Sequence, residues 1–219
     1  MMKKRLSEYR LVLFDMDGTL YFQRPLQLTM GIMMVKSALC EKGGFSELFT
    51  VLKFRKLREN WSDTDEIDTK LYEVLAKERS ISIEQAEECV QKWIYAMPLN
   101  YLRRFRDDKL AEIVQSLKDK GIQTVIYSDY PTTEKQTTLE MADIPGFYGG
   151  QPEIGALKPD PKGILHIMKH YGIEDKSAVL MIGDRMSKDG QAALLAGVDY
   201  LILKKYKGMR KKQYKNLPI

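Results

Sequence analysis

Asp15 and Asp17 supply two carboxylates two positions apart, in the stretch Leu-Val-Leu-Phe-Asp-Met-Asp-Gly-Thr-Leu at residues 11–20. On a strand, residues so spaced share a face, and in the loop beyond it they can converge on one point. Two such groups can divide nucleophile and acid/base work between them. A divalent cation would relieve their mutual repulsion and let both stay ionised. The same letters also read as an Asp-Gly turn closing a strand, and Asp-x-Asp-Gly alone does not choose between the two. Four stations of chemistry follow one another along the chain: Asp15 with Asp17, then Ser128, then Lys158, then Asp184 with Asp189.

Elements that could position these groups come next. Leu11, Val12, Leu13 and Phe14 form an apolar run suited to a buried parallel strand, and Gly18 lets the backbone turn behind it. Open α/β sheets place ligands at the C-terminal ends of their strands, where these carboxylates fall. After Leu20 the pattern is helical for about eighty residues. Leu28, Ile32, Val35 and Leu39 recur at helical spacing, with Met30, Met33 and Met34 adding apolar area, until Gly43 and Gly44. Further helices are expected through Leu48, Leu52 and Leu57, and through Ile67, Leu71, Val74 and Leu75 after Asp63 and Glu66 as a start signal. Ser82 with Gln85 forms a capping box opening a fourth, through Ala86, Val90, Trp93 and Ile94 to Pro98.

After Tyr101, helix and strand alternate. A helix on Leu110, Ile113, Val114 and Leu117 precedes a strand Thr124, Val125, Ile126 and Tyr127 that runs into Ser128. A helix over 132–142, a short Phe147–Tyr148 segment and a helix opened by Asp160 and Pro161 follow. The apolar strand 178–182 ends at Gly183 and Asp184. An Ala-Leu helix leads to a last strand at 200–203. This order predicts an α/β fold: a Rossmann-like doubly wound parallel sheet with an inserted all-helical cap. The expected division is a core of residues 1–20 and 101–219 and a cap of residues 21–100.

Composition sets the outer bounds. The 219 residues, 44% hydrophobic and 30% charged, describe an ordinary globular chain large enough for a real core. The net charge of +5 comes mostly from Lys204, Lys205, Lys207, Arg210, Lys211, Lys212 and Lys215, with no acidic residue among them. That run reads as a solvated tail, and a nucleic-acid partner is not expected. The apolar run after Lys3, Lys4 and Arg5 stops at Asp15, too short for a signal-peptide core, and no stretch is long enough to span a bilayer. Cys40 and Cys89 lack metal-ligand spacing and read as free thiols, so a cytoplasmic location is expected. His166 and His170 lie four apart but without the Glu of a His-Glu-x-x-His pattern, and read as surface histidines.

Taken together, the stations resemble the haloacid dehalogenase superfamily. Phe-Asp-Met-Asp-Gly-Thr-Leu resembles its first motif and Tyr-Ser-Asp its second. Leu-Lys-Pro-Asp-Pro resembles the third, and Gly-Asp-Arg-Met-Ser-Lys-Asp the acidic fourth. The helical insert is similar to the cap of the branch with phosphoglycolate phosphatase and β-phosphoglucomutase. The resemblance implies a phosphatase acting on a small phosphorylated metabolite, with Asp15 as nucleophile and Asp17 as acid and base. It implies Mg²⁺ held by Asp15, the Asp17 backbone carbonyl and Asp184, with Asp189 orienting a metal-bound water. Ser128 and Lys158 would bind phosphate. Asp129, where many relatives carry Asn, is expected to turn away and cap the helix near Thr132. Arg24 is a candidate anion contact.

Asp17 argues against haloacid dehalogenation, which dispenses with a carboxylate at that position. A phosphomutase acting on a sugar phosphate shares the core residues and stays as an alternative. A non-catalytic binding protein of the same fold, docking an acidic partner through its lysine-rich tail, is the third reading. Either a monomer or a dimer is compatible with the sequence.

Overall fold

The computed structural model describes residues 1–2, 4–62 and 66–217. Strands β1 (Leu11–Phe14), β2 (Gln123–Ser128), β3 (Gly146–Tyr148), β4 (Val179–Gly183) and β5 (Asp199–Ile202) form one parallel sheet in the order β3-β2-β1-β4-β5. Phe14 stands beside Ile126 on one side and Ile182 on the other. Every residue of β1 and β4 is buried, the consequence of helices covering both faces. Val12, Phe14, Ile126, Leu180 and Ile182 face one helical layer, with Ile113, Val114 and Leu117 of α6 (Asp108–Asp119). Leu11, Leu13, Val125, Val179 and Met181 face the other. That second layer holds Ile164, Ile167 and Met168 of α8 (Lys162–His170) and Ala192, Ala193 and Ala196 of α9 (Gln191–Ala196). This is the doubly wound α/β fold that the order of elements predicts.

Between β1 and α6 the described residues form helices and no strand, apart from an isolated bridge at Tyr21. Helices α1 (Gln23–Cys40), α2 (Gly44–Glu59), α3 (Ile67–Arg79) and α4 (Ile83–Val90) pack on one another, and α4 runs through a π-helical turn into α5 (Met97–Leu102). The Ser82 capping box is formed, with the Gln85 amide donating to Ser82 Oγ at 3.2 Å and the Ser82 amide to Gln85 Oε1 at 3.0 Å. Asp63, half of the expected start signal for α3, lies outside the described residues.

One helical stripe faces the opposite way from the expectation, and a second departs from it at one position. In α1 the buried side chains are Leu26, Met30, Met34 and Ala38, whereas Leu28, Ile32, Val35 and Leu39 are 68%, 63%, 52% and 72% exposed. Both sets recur at helical spacing, so periodicity cannot say which one faces the bundle. In α2 the buried side chains include Val51, Phe54 and Arg58, with Leu48 and Leu57 of the expected stripe half-buried against the same core, and of that stripe only Leu52 is exposed.

Two further differences lie near the chain's second half. The helix expected over 132–142 is α7 (Thr133–Thr138), because the buried Gln136 amide donates to the carbonyls of Met141 and Ile144 and shapes an irregular turn there. The basic C-terminal run is solvated at its lysines, with Lys204, Lys205, Lys207, Lys211, Lys212 and Lys215 all exposed, but it is a docked helix rather than a free tail. It forms α10 (Lys207–Lys215), which buries Arg210 and Tyr214. Among the described residues no helix is long and apolar enough to cross a membrane.

Candidate active site

Asp15 directly follows β1, and its amide donates to the Ile182 carbonyl at 2.8 Å, continuing the ladder by one bond. The carboxylate is therefore set by the centre of the sheet. Lys158 Nζ donates to Oδ1 at 2.5 Å and the Thr19 hydroxyl to Oδ2 at 2.8 Å, which fixes the carboxylate plane. The same ammonium reaches Asp189 Oδ1 at 2.6 Å and the Tyr127 carbonyl at 3.4 Å. Burial works to deprotonate Lys158, but Asp15, Asp189 and Asp129 outweigh it and hold the ammonium well above its ordinary pKa. Asp15 is pushed well up by burial, then by Asp189 and Asp184, against the pull of Lys158. One cation cannot neutralise three carboxylates.

Asp15, Asp184 and Asp189, all buried, bring one carboxylate oxygen each within 4.8 Å of the others. Asp184 Oδ1 is buried without a hydrogen-bond partner, and burial with the nearby Asp189 charge raises its pKa. Hard carboxylate oxygens in surplus over cations, one of them orphaned, fit an oxygen-loving divalent ion such as Mg²⁺. Gly18 belongs to this arrangement: at φ +90° a Cβ there would stand 2.6 Å from Asp184 Oδ2. The Asp189 oxygens are engaged by Lys158 and, at 3.0 Å, by the Arg185 amide.

The Asp17 side chain points elsewhere. Its Oδ1 accepts from Lys135 Nζ at 2.6 Å and from the Tyr21 hydroxyl. Burial raises its pKa, but the Lys135 charge and these two hydrogen bonds prevail and leave it below the ordinary value. Among the described residues, the amides of Met16, Asp17 and Gly18 donate to no protein acceptor, and neither does any group donate to the Asp17 carbonyl. Ser128 is buried at the end of β2, its Oγ accepting from the Tyr130 amide at 3.1 Å, so the hydroxyl proton is free to point into the site. Asp129 does turn away, but not to cap α7: Oδ1 accepts from the Lys158 amide at 2.8 Å. It thereby fixes the loop carrying the lysine.

A cavity of about 220 Å³ opens over these groups, with helices α1, α2 and α5 on its far side. Arg58 Nη2 donates to the Asp129 carbonyl at 2.6 Å, its Nη1 to Asp68 at 2.6 Å, and the guanidinium stacks 4.5 Å from the Tyr130 ring centroid. Arg185 forks onto Glu59, and Lys188 Nζ reaches the Glu59 carbonyl at 3.1 Å. Arg55 lines the cavity with no carboxylate of the described residues in ion-pair range. Met30 lines it as well, while Arg24 does not, being engaged by the Tyr206 ring and hydroxyl. Lys135, Tyr21, Arg55 and Arg58 escaped the sequence reading. Lys135 and Tyr21 lie in no motif, and Arg55 and Arg58 share their helix with Lys53 and Lys56, with no spacing that marks them for the site.

A parallel sheet with a carboxylate cluster and a buried lysine at its strand ends defines an α/β enzyme of the doubly wound class. The chain belongs to the haloacid dehalogenase-like hydrolase family, whose model matches residues 9–197. No curated protein sequence matches it. Among solved structures it is similar to a 2-haloacid dehalogenase from Pseudomonas syringae pv. tomato, with TM-score 0.60, 17% identity and coverage of 89% of this chain and 86% of that one. It is similar to the HAD-hydrolase YfnB of Bacillus subtilis, described bound to magnesium, with TM-score 0.60, 16% identity and coverage of 99% and 100%. A predicted phosphoglycolate phosphatase from Haemophilus somnus aligns with TM-score 0.58, 20% identity and coverage of 90% and 86%. At such identities these likenesses speak for the fold.

Proposed function

We propose that the protein is a Mg²⁺-dependent phosphatase that cleaves a small phosphorylated metabolite through an aspartyl-phosphate on Asp15. The observation carrying this reading is the division of labour between the two aspartates. Asp15 sits against Lys158 beside the acidic cluster, while Asp17 is turned to Lys135 and Tyr21. A dehalogenase needs no second carboxylate in that place; a phosphomonoesterase with an alkoxide leaving group does. Asp15 attacks phosphorus, the P–O bond to the leaving group breaks, and Asp17 delivers a proton to the departing oxygen. Asp17 then takes a proton from the water that cleaves the acyl-phosphate, releasing phosphate and restoring Asp15. Arrival of a dianionic phosphate draws Lys135 towards it and lets Asp17 hold the proton it must give. Ser128, Lys158 and the free amides of Met16, Asp17 and Gly18 hold the phosphate oxygens. Asp15, Asp184 and the Asp17 carbonyl would hold Mg²⁺, which when bound screens the charge of phosphate and carboxylates. Asp189 keeps Lys158 and the Arg185 loop in place.

The same reading treats residues 21–100 as a cap over a core of 1–20 and 101–219. Tyr21 and Arg106 form an antiparallel bridge, flanked by bonds from Phe22 N to Phe105 O and from Asp107 N to Leu20 O, so the two linkers run side by side. Release of inorganic phosphate from a panel of phosphorylated metabolites, with Mg²⁺ and with a chelator, tests the proposal. Turnover with Mg²⁺ alone supports it; none with any ester, or turnover of a haloacid instead, overturns it.

A further inference from the structure

Arg210 belongs to α10, beyond the region that the family model matches, yet it is fully buried against the first loop of the site. Its Nη2 donates to the Gly18 carbonyl at 2.7 Å and its Nη1 to the Thr19 carbonyl at 2.9 Å. Nη1 also reaches Asp107 Oδ2 at 3.2 Å, Nε donates to the Lys204 carbonyl at 2.7 Å, and the guanidinium stacks 4.9 Å from the Phe22 ring centroid. A helix-capping carboxylate (Asp107) and two loop carbonyls thus share one guanidinium. Each has a consequence at the site. Thr19 is the residue whose hydroxyl holds Asp15 Oδ2, and Gly18 is the residue packed against the Asp184 carboxylate.

We infer that Arg210 is a positioning residue for the phosphoryl-transfer site: it fixes the peptide planes of Gly18 and Thr19, and through them the aim of the Asp15 carboxylate. It also joins the incoming linker to the outgoing one at Asp107, so the loop stays fixed whatever the helices above it do. A planar, permanently charged group with several fixed donors suits four acceptors at once; a lysine cannot copy it. This inference rests on the phosphatase reading above for its kinetic consequence, but not for its structural one.

The test compares Arg210→Lys, Arg210→Met and Tyr214→Phe in the full-length protein, with Mg²⁺ and the best ester of the panel. Tyr214 donates to Asp107 Oδ2 at 2.7 Å and makes no hydrogen bond to Gly18 or Thr19, so its loss removes an anchor of α10 while leaving both Arg210 bonds to the loop carbonyls. Expected is a kcat at least tenfold lower in Arg210→Lys and lower still in Arg210→Met, with KM within threefold of the parent, since misplacing a reacting group damages rate more than binding. Tyr214→Phe should keep kcat within twofold while losing some thermal stability. In the metal-free protein, hydrogen exchange at residues 16–20 should quicken in Arg210→Lys with the sheet unchanged. An Arg210→Lys kcat within twofold of the parent, or losses of kcat that track losses of Tm across all three variants, would overturn the inference. Should the parent turn over no ester, the phosphatase reading fails, and unchanged exchange at residues 16–20 would then sink the positioning role on its own.

Discussion

Lys135 Nζ stands 2.6 Å from Asp17 Oδ1, and this ion pair decides the protonation of the second aspartate of the site. Burial alone would push the Asp17 carboxyl up; Lys135 and Tyr21 together bring it below its ordinary value. The sign follows directly. Removing the cation in Lys135→Met raises the Asp17 pKa, so the ionised base needed for the second step is lost at higher pH than in the parent. The acid limb of the kcat–pH profile should move to higher pH, with the fold intact. An acid limb unmoved in Lys135→Met would remove Asp17 from the proton-transfer role.

Metal binding should appear in stability as well as in turnover. Asp15 and Asp184 both have raised pKa values in the metal-free protein. For a carboxyl raised in this way, the stabilising contribution is present below its unfolded pKa and is lost as pH rises through the folded one. Mg²⁺ should therefore raise Tm more at pH 8 than at pH 5. At a concentration 100 times Kd the gain should approach roughly 2.7 kcal/mol. Asp184→Ala should abolish the Mg²⁺-dependent shift while leaving the metal-free protein folded. Thermal scans of both proteins at the two pH values check this, and an undiminished shift in the variant strikes Asp184 from the ligand set.

Among the described residues, Arg55 of α2 lines the cavity with no carboxylate in ion-pair range. If it meets an anionic group of the substrate away from the scissile phosphate, Arg55→Met should raise KM severalfold with kcat little changed, the signature of lost uniform binding. The effect should vanish for esters lacking a second anion. Equal losses for both kinds of ester would show Arg55 to be structural instead.

How much of this was legible in the chain varied with the kind of signal. The sheet was, because β1 and β4 are short apolar runs buried on both faces, and each ends at a polar station. Asp15, Lys158, Asp184 and Asp189 converge because their order along the chain matches the parallel strand ends. Lys135, Tyr21 and Arg210 were not legible, since each acts through a contact made only once distant elements pack. Arg210 looked like one more charge in a basic tail. The α1 stripe failed for another reason: the helix carries two apolar faces, and only the partners α2 and α5 select between them.

That selection has its own measurable consequence. Ile32 is 63% exposed and Met30 is 2% exposed, although both sit in the apolar part of α1. Ile32→Lys should change stability by no more than about 0.5 kcal/mol, as surface substitutions do. Met30→Ala should lose about 2–5 kcal/mol as a buried large-to-small change. Urea unfolding of the two variants compares them; a large loss in Ile32→Lys would mean that this face is covered in solution.

The two aspartates of the first loop should part company in a burst experiment. Asp15→Asn offers an amide that cannot form a stable phosphoryl intermediate, so turnover should fall to background while substrate still binds. Asp17→Asn keeps the nucleophile, with Lys158 and Thr19 still fixing its carboxylate. It lacks the acid for the first step and the base for the second, each worth about 10²–10⁴-fold. With an alkyl phosphate, whose leaving group needs a proton, both variants should look inactive. With a nitrophenyl phosphate the leaving group departs unaided, so Asp17→Asn should give a rapid burst equal to the enzyme concentration and then a slow steady state. Quenched in the burst and digested, the protein should carry one added phosphoryl group on the peptide containing Asp15. A burst from Asp15→Asn, or phosphate on any other residue, would falsify the division of roles that the Lys158 and Lys135 contacts support.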